Sequence, residues 1–216
     1  MIETQKQILE YFTKYNYDFL PGKDPYTFKP FPGALVLDIG ANLGMVTAFW
    51  AMNGAKVTSY EADPETYKIM TDMFSRTGIN ADAINTAIWT HEGEVNFRGV
   101  GHMDGDRPCR NGKIEQSSKA TPVPCITFAS ALGDTVWDCV KMDIEGAEFE
   151  VLMGTDLNSM KNIKYMNLEL HEEKNDPGWM TVTPDQVKQL REKMSLIFDI
   201  KDSVFSDGFW HLIKKG

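Results

Sequence analysis

The sequence predicts an α/β protein: a mostly parallel sheet with helices on both faces. Three observations carry that expectation. Strand-like and helix-like segments alternate along most of the chain, the pattern of βαβ units. The run "ALVLDIG" is continuously apolar rather than alternating, as suits a strand buried on both faces. A glycine turn, "DIGANLG", joins that run to the next helical segment.

Taken in order, Ile8, Tyr11, Phe12 and Tyr15 recur at helical spacing and stop at "LPGKDP", a turn signal. "ALVLDIG" is the first strand, and "GMVTAFWAMNG" a helix ended by glycine. "AKVTSYEA" is the second strand. The helix after it has Asp63 as N-cap, Pro64 at its first position and Gly78 beyond its end. "ADAINTAIW" reads as one third strand and "GEVNFRGV" as a short accessory strand. Residues 99–122 lose periodicity and gather Gly, Asp, Ser, Lys and Pro, which reads as a long functional loop. Strand follows at "WDCVKMD", helix at "AEFEVLMGTDL" and strand at "IKYMNLELH". A Thr-capped helix, "TPDQVKQLREKMS", and two strands, "LIFDIKDS" and "FWHLIKK", close the chain. With no repeat and no linker, one domain is expected: 1–33 as helix and lead-in, 34–216 as the core, with 99–122 inserted as a substrate loop.

Composition narrows the function. The chain has 216 residues and a formal net charge of −9, with scattered Lys and Arg, which argues against nucleic acid as partner. No apolar stretch reaches the roughly 20 residues that span a bilayer, and the acidic start does not read as a signal peptide. Three cysteines without CxxC spacing point to reduced thiols and a cytoplasmic location.

The glycine turn carries chemistry. Gly40 and Gly44 bracket Asn42, so the middle glycine that admits a dinucleotide pyrophosphate is absent. Glu61 ends the second strand, 21 residues after Gly40, where a carboxylate accepts from ribose hydroxyls. The pair points to an adenosine ligand without a pyrophosphate and fits S-adenosylmethionine better than NAD. Asp38 is placed to meet the ligand's cationic amino-acid end, directly or through water. An NAD-dependent oxidoreductase would also want Tyr-x-x-x-Lys; Tyr11 has Tyr15 at the fourth place.

"VLDIGANLG", "SYEADPETYKIM", "INTAIWTHEGEVNF", "VKMDIEGAEFEVLMG" and "NLELH" together resemble the FkbM-type S-adenosylmethionine-dependent methyltransferases over about residues 34–171. The resemblance implies a Rossmann-like class I methyltransferase domain. Its seven-stranded sheet would have the order 3-2-1-4-5-7-6, with the last strand antiparallel. It also implies O-methylation, often of a sugar or glycan. Asp38, Gly40, Ala41, Asn42, Gly44, Glu61, Ala62 and Asp143 would hold the cofactor, and "NTAIW", with Thr86 and Ala87, would contribute near the adenine.

The resemblance makes "DCVKMD" and "YMNLELH" strands 4 and 5, neighbours whose tips border one crevice. Asp143 with Glu145, and Glu169 with His171, are i, i+2 pairs that share faces in extended chain. Two remedies exist for so many like charges. One is a divalent cation, Mg²⁺ or Mn²⁺, held by Asp143, Glu169 and His171. The other is division of labour, with Asp143 or His171 taking a hydroxyl proton while Glu145 and Glu169 orient them. Glu145 near a helix N-cap reads equally as a capping acid, and Glu148 and Glu150 as acids meeting the positive helix end.

His91 and His211 read as bystanders. His102, with Asp104, Asp106, Arg107 and Arg110, belongs to a polar loop that reads equally as one able to close over a glycan and as a solvated loop. Trp50, Trp89 and Trp137 read as core, and Trp179 reads equally as an exposed aromatic able to stack on a sugar or adenine and as a packing residue. The expected activity is O-methylation of a sugar or glycan, beside a glycosyltransferase. The alternatives are a non-sugar natural product as acceptor, or a module that binds S-adenosylmethionine without chemistry.

Overall fold

The computed structural model describes residues 28–98, 113–114, 120–171, 182–203 and 208–216. The expected N-terminal helix, the loop carrying His102, Asp104, Asp106, Arg107 and Arg110, and Trp179 lie outside the described residues. The elements are β1 (Leu35–Ile39), α1 (Met45–Met52), β2 (Lys56–Glu61), α2 (Pro64–Thr77), β3 (Asp82–Asn85), β4 (Ala87–Trp89), β5 (Gly93–Arg98) and β6 (Lys113–Ile114). They continue with β7 (Thr121–Thr127), α3 (Phe128–Leu132), β8 (Cys139–Met142), α4 (Glu148–Gly154), β9 (Tyr165–Glu169), α5 (Pro184–Met194), β10 (Phe198–Asp202) and β11 (Phe209–Lys214).

Seven strands form the main sheet in the order β10-β11-β9-β8-β1-β2-β3. Numbered by their own succession, these strands run 3-2-1-4-5-7-6 from the β3 edge, the expected order. The seventh, β11, is antiparallel to both neighbours, and the other pairings are parallel. Near-continuous apolarity in β1 and β8 follows from cover on both faces. Leu37, Ile39, Val140 and Met142 face the larger core, with Phe128 and Leu132 of α3, Val151 and Leu152 of α4, and Leu190 and Met194 of α5. Val36, Val57 and Cys139 face the other way, against Val46 and Trp50 of α1. Met45 and Ala48 of α1 also meet Met70, Met73 and Phe74 of α2.

Local signals explain the helix ends. Asp63 accepts from the backbone N–H groups of Glu65 and Thr66 at the start of α2, and Gly78 closes it in the left-handed conformation. Thr183 and Gln186 make a reciprocal capping box on α5.

Two expectations need correction. "ADAINTAIW" is not one strand: β3 pairs with β2 in the main sheet, whereas β4 pairs with β7 in a second, four-stranded sheet of order β4-β7-β5-β6. The break falls at Thr86, whose N–H bonds the carbonyl of Glu61 while Asn85 Nδ2 donates to the carbonyls of Glu61 and Ala62. The presumed loop 99–122 also gives way to strand at 113–114 and from Thr121 onward. In "TPVPCIT" the prolines discourage a strand reading. Yet Val123 and Cys125 are buried and alternate with exposed Pro122 and Pro124, the period of a strand with one covered face.

Candidate active site

The carboxyl ends of β1, β2, β3, β8 and β9 meet along one edge of the sheet, where open α/β sheets bind their ligands. After β1 the chain turns sharply. Gly40 has φ +76°, and a Cβ there would lie 1.7 Å from the carbonyl oxygen of Asp143, so only glycine lets the two strand tips approach. Asn42 is left-handed as well, at φ 52°, a conformation asparagine tolerates better than most residues.

Glu61 ties the turn to β2. Its Oε2 accepts from the Asn42 N–H at 2.7 Å and its Oε1 from the Asp63 N–H at 2.8 Å. It is buried, and burial raises its pKa to about 7 in spite of those hydrogen bonds. Glu61 lines a cleft of about 680 Å³, open mouth included. Gly40 and Asn42 form part of its wall, with Ala62, Thr86 and Ala87, and Asp143 and Glu145 line it too. Eight of the sequence-predicted residues, the seven cofactor candidates Gly40, Asn42, Glu61, Ala62, Thr86, Ala87 and Asp143 with Glu145, therefore stand around one space.

Asp38, Ala41 and Gly44 do not line it. Asp38 is fully buried, accepting from Thr47 Oγ1 at 2.7 Å and paired with Lys141 Nζ at 3.3 Å. Gly44 serves packing, since a Cβ there would come within 2.6 Å of Met70. Sequence reasoning passed over Tyr60, Asp63, Thr66 and Phe97 in the same wall, whereas Ile88 belongs to the expected "NTAIW" segment. Asp63 was legible as a cap, but Phe97 reaches the cleft from the second sheet and carried no signal in the sequence.

Beside the cleft the acids and the histidine converge. His171 Nε2 lies 3.1 Å from Glu145 Oε2, and its Nδ1 lies 3.2 Å from Glu148 Oε1. Glu148 is fully buried and does more than meet a helix end. Its Oε1 also accepts from the Ile144 N–H at 2.8 Å, and its Oε2 accepts from the Gly146 N–H at 2.9 Å. Those two bonds clamp the residues on either side of Glu145, which is left-handed at φ 56°. Such a backbone persists only where its surroundings enforce it.

Electrostatics divides the cluster. Burial alone would lower the His171 pKa, but Glu145 and Glu148 overcome it and raise it to about 11. Burial, with the neighbouring Asp143 charge, pushes Glu169 up to about 9. Burial also raises Glu145, against its bond from His171. Near neutral pH, His171 is thus an imidazolium and Glu169 carries a proton. One ligand atom each from Asp143, Glu145 and His171 lie within 4.8 Å of one another, so this trio has Glu145 where the sequence-based set had Glu169. His91 is exposed and His211 is buried in the sheet.

A seven-stranded sheet of this order, with a glycine turn tied to a buried acid at its carboxyl edge, is the class I methyltransferase architecture. A family model described as the methyltransferase FkbM domain matches residues 38–200. The chain belongs to that family of S-adenosylmethionine-dependent methyltransferases. Solved structures share the fold. An S-adenosylmethionine-dependent methyltransferase from Aquifex aeolicus is 15% identical, with a TM-score of 0.51 over 99% of this chain and 98% of that one. A TehB-like S-adenosylmethionine-dependent methyltransferase from Corynebacterium glutamicum is 11% identical, with a TM-score of 0.50 over 99% and 97%. A dimethyladenosine transferase from Plasmodium falciparum is 13% identical, with a TM-score of 0.54 over 89% and 60%. A comparison with curated protein sequences returns no match.

Proposed function

We propose that this methyltransferase acts on oxygen, methylating a hydroxyl of a sugar or glycan. The observation that carries the reading is the sharing of one cleft by Glu61, on the cofactor side, and the carboxyl groups of Asp143 and Glu145. The residues suit the cofactor: Glu61 still has lone pairs for ribose hydroxyls, and Ala87, Ile88 and Phe97 offer an apolar shelf to a purine. When bound, the cofactor supplies a methyl group on a sulfonium.

The chain's own part is to hold the acceptor oxygen in line with that methyl group, an arrangement worth roughly 7 to 11 kcal/mol when well aligned. With the cofactor bound, Asp143 would accept the proton that the acceptor hydroxyl gives up on methylation. The protonated state of His171 favours Asp143 over His171 for that task. His171 positions Glu145, and Glu148 positions His171.

Mg²⁺ or Mn²⁺ at Asp143, Glu145 and His171 is the second form of this reading, supported by the closeness of their ligand atoms. His171 would have to release its proton to join, and Glu169 would stand nearby as a carboxyl group. A divalent cation there would lower the pKa of a bound alcohol. The glycosyltransferase partner and the cytoplasmic location belong to this reading as well.

The test is transfer of labelled methyl from S-adenosylmethionine to a panel of glycans, small-molecule alcohols and amines, with and without Mn²⁺. Label in an alkali-stable methyl ether of a glycan supports the reading. Transfer to amines alone overturns O-methylation.

A further inference from the structure

A lysine in the middle of a buried parallel strand is costly unless its charge is matched and used. Lys141 is such a residue: it sits in β8 with a relative exposure of 3%. It lies in a polar row that crosses the sheet on one face. The register places Ser59 beside Asp38, Asp38 beside Lys141, Lys141 beside Asn167 and Asn167 beside His211. All five are buried. Strand propensity does not explain a charge at the centre of that row, and neither does helix capping.

Its contacts do. Lys141 Nζ donates to the carbonyl oxygen of Gly40 at 2.6 Å and lies 3.3 Å from Asp38 Oδ1 and 3.6 Å from Asp143 Oδ2. One ammonium thus touches the cofactor turn, the buried acid under that turn and the acid at the tip of the neighbouring strand. Fixing the Gly40 carbonyl fixes the peptide plane that begins the turn, which is also held by the bond from the Asn42 N–H to Glu61 and by bonds from the Gly40 and Ala41 N–H groups to the Tyr60 carbonyl. We propose that Lys141 is a positioning residue that locks the cofactor turn to the Asp143 carboxylate, and that Asp38 acts on the cofactor through Lys141 rather than by touching it. The full burial of Asp38 and its bond from Thr47 leave it no face toward the cleft. The inference rests on the S-adenosylmethionine-dependent reading of the cleft.

The test is a double-mutant cycle read by calorimetric titration of S-adenosylhomocysteine, at a temperature well below every melting point. The proteins are wild type, Lys141→Met, Asp38→Asn and the double variant. Lys141→Met is expected to weaken binding by roughly tenfold to a hundredfold, the scale of a lost charge-assisted hydrogen bond. Asp38→Asn should weaken it less, and the double variant should bind no more weakly than Lys141→Met alone. Additive losses would mean that Asp38 meets the ligand independently and would overturn the proposal. A lowered melting point with binding within threefold of wild type would reduce Lys141 to a packing role, and would overturn it too. If Lys141→Met does not fold, because two carboxylates lose their shared cation, the double variant removes one of those charges. It should still bind more weakly than Asp38→Asn, and equal binding refutes the inference. Failure of wild type to bind would instead remove the cofactor reading on which the inference stands.

Discussion

Glu148 offers the sharpest structural perturbation. Glu148→Ala removes a fully buried carboxylate that accepts from the N–H groups of Ile144 and Gly146 and faces His171 Nδ1. Each orphaned buried donor costs about 1 to 3 kcal/mol, and breaking a buried charge pair costs about 3 to 5 kcal/mol. These overlap, so the expected loss is about 3 to 5 kcal/mol in total. At this chain length 1 kcal/mol moves the melting point by about 2 to 4 °C, giving a fall of about 6 to 20 °C. Thermal denaturation followed by circular dichroism reads it, with Glu150→Ala as the comparison. Glu150 is a first-turn acid of the same helix and only partly buried, so its loss should stay within about 1 kcal/mol. Nuclear magnetic resonance titration of His171 gives a second readout. Its pKa, raised to about 11 by Glu145 and Glu148 against the effect of burial, should fall in Glu148→Ala. Equal melting points for the two variants, with an unmoved His171 titration, would refute the clamp.

Five further outcomes follow from the same geometry. On the proposed cofactor reading, ribose hydroxyls meet Glu61 as a carboxylate whose pKa burial raises to about 7. Affinity for S-adenosylhomocysteine should therefore fall by up to about tenfold per pH unit below 7, with a proton released on binding near neutrality. Glu169 is pushed up to about 9, so the folded state holds a proton that the unfolded state loses near 4.5. Stability should thus decline as pH rises between those values, and Glu169→Gln should flatten the profile in denaturant titrations. His171 adds stability that is full below about 6.5 and lost as pH rises through about 11, so the deficit of His171→Gln should shrink at high pH. Gly40→Ala should cost about 4 kcal/mol or prevent folding, because its Cβ would meet the Asp143 carbonyl at 1.7 Å. Gly33→Ala, also at positive φ but with no atom within 4 Å, should cost only about 1 to 2 kcal/mol. Finally, under the metal form of the proposal, Mn²⁺ titrated into EDTA-treated protein should release protons and Asp143→Ala should abolish that; silence in wild type would leave the acids as base and clamp.

What the sequence made legible was whatever depends on local chemistry. Asp63, Pro64 and Gly78 mark both ends of α2 because capping is set within a few residues. The continuous apolarity of β1 and β8 announces strands covered on both faces. The turn with Gly40 and the acid Glu61 are separated by one βα unit of fixed length, so their meeting could be foreseen. The illegible parts depend on pairing between distant segments. Nothing around Thr86 shows that β3 and β4 join different sheets, and the prolines of β7 hide a strand whose buried face is only Val123 and Cys125. Glu148 looked like an ordinary helix-start acid, since its clamp on Ile144 and Gly146 needs the left-handed turn at Glu145. Asp38 looked ready to meet a ligand, and its burial beneath Lys141 and Thr47 emerges only from the register of β1 with β8.

The central claim is that the cleft beneath Glu61 holds the adenosyl cofactor of a methyltransferase. Isothermal titration of S-adenosylhomocysteine into wild type and Glu61→Gln at pH 8 tests it most directly. The account predicts saturable one-to-one binding to wild type. It predicts binding at least tenfold weaker in Glu61→Gln, whose amide cannot accept from both backbone donors and ribose together. No heat and no change in melting point with wild type, or equal affinity in the two proteins, would contradict it.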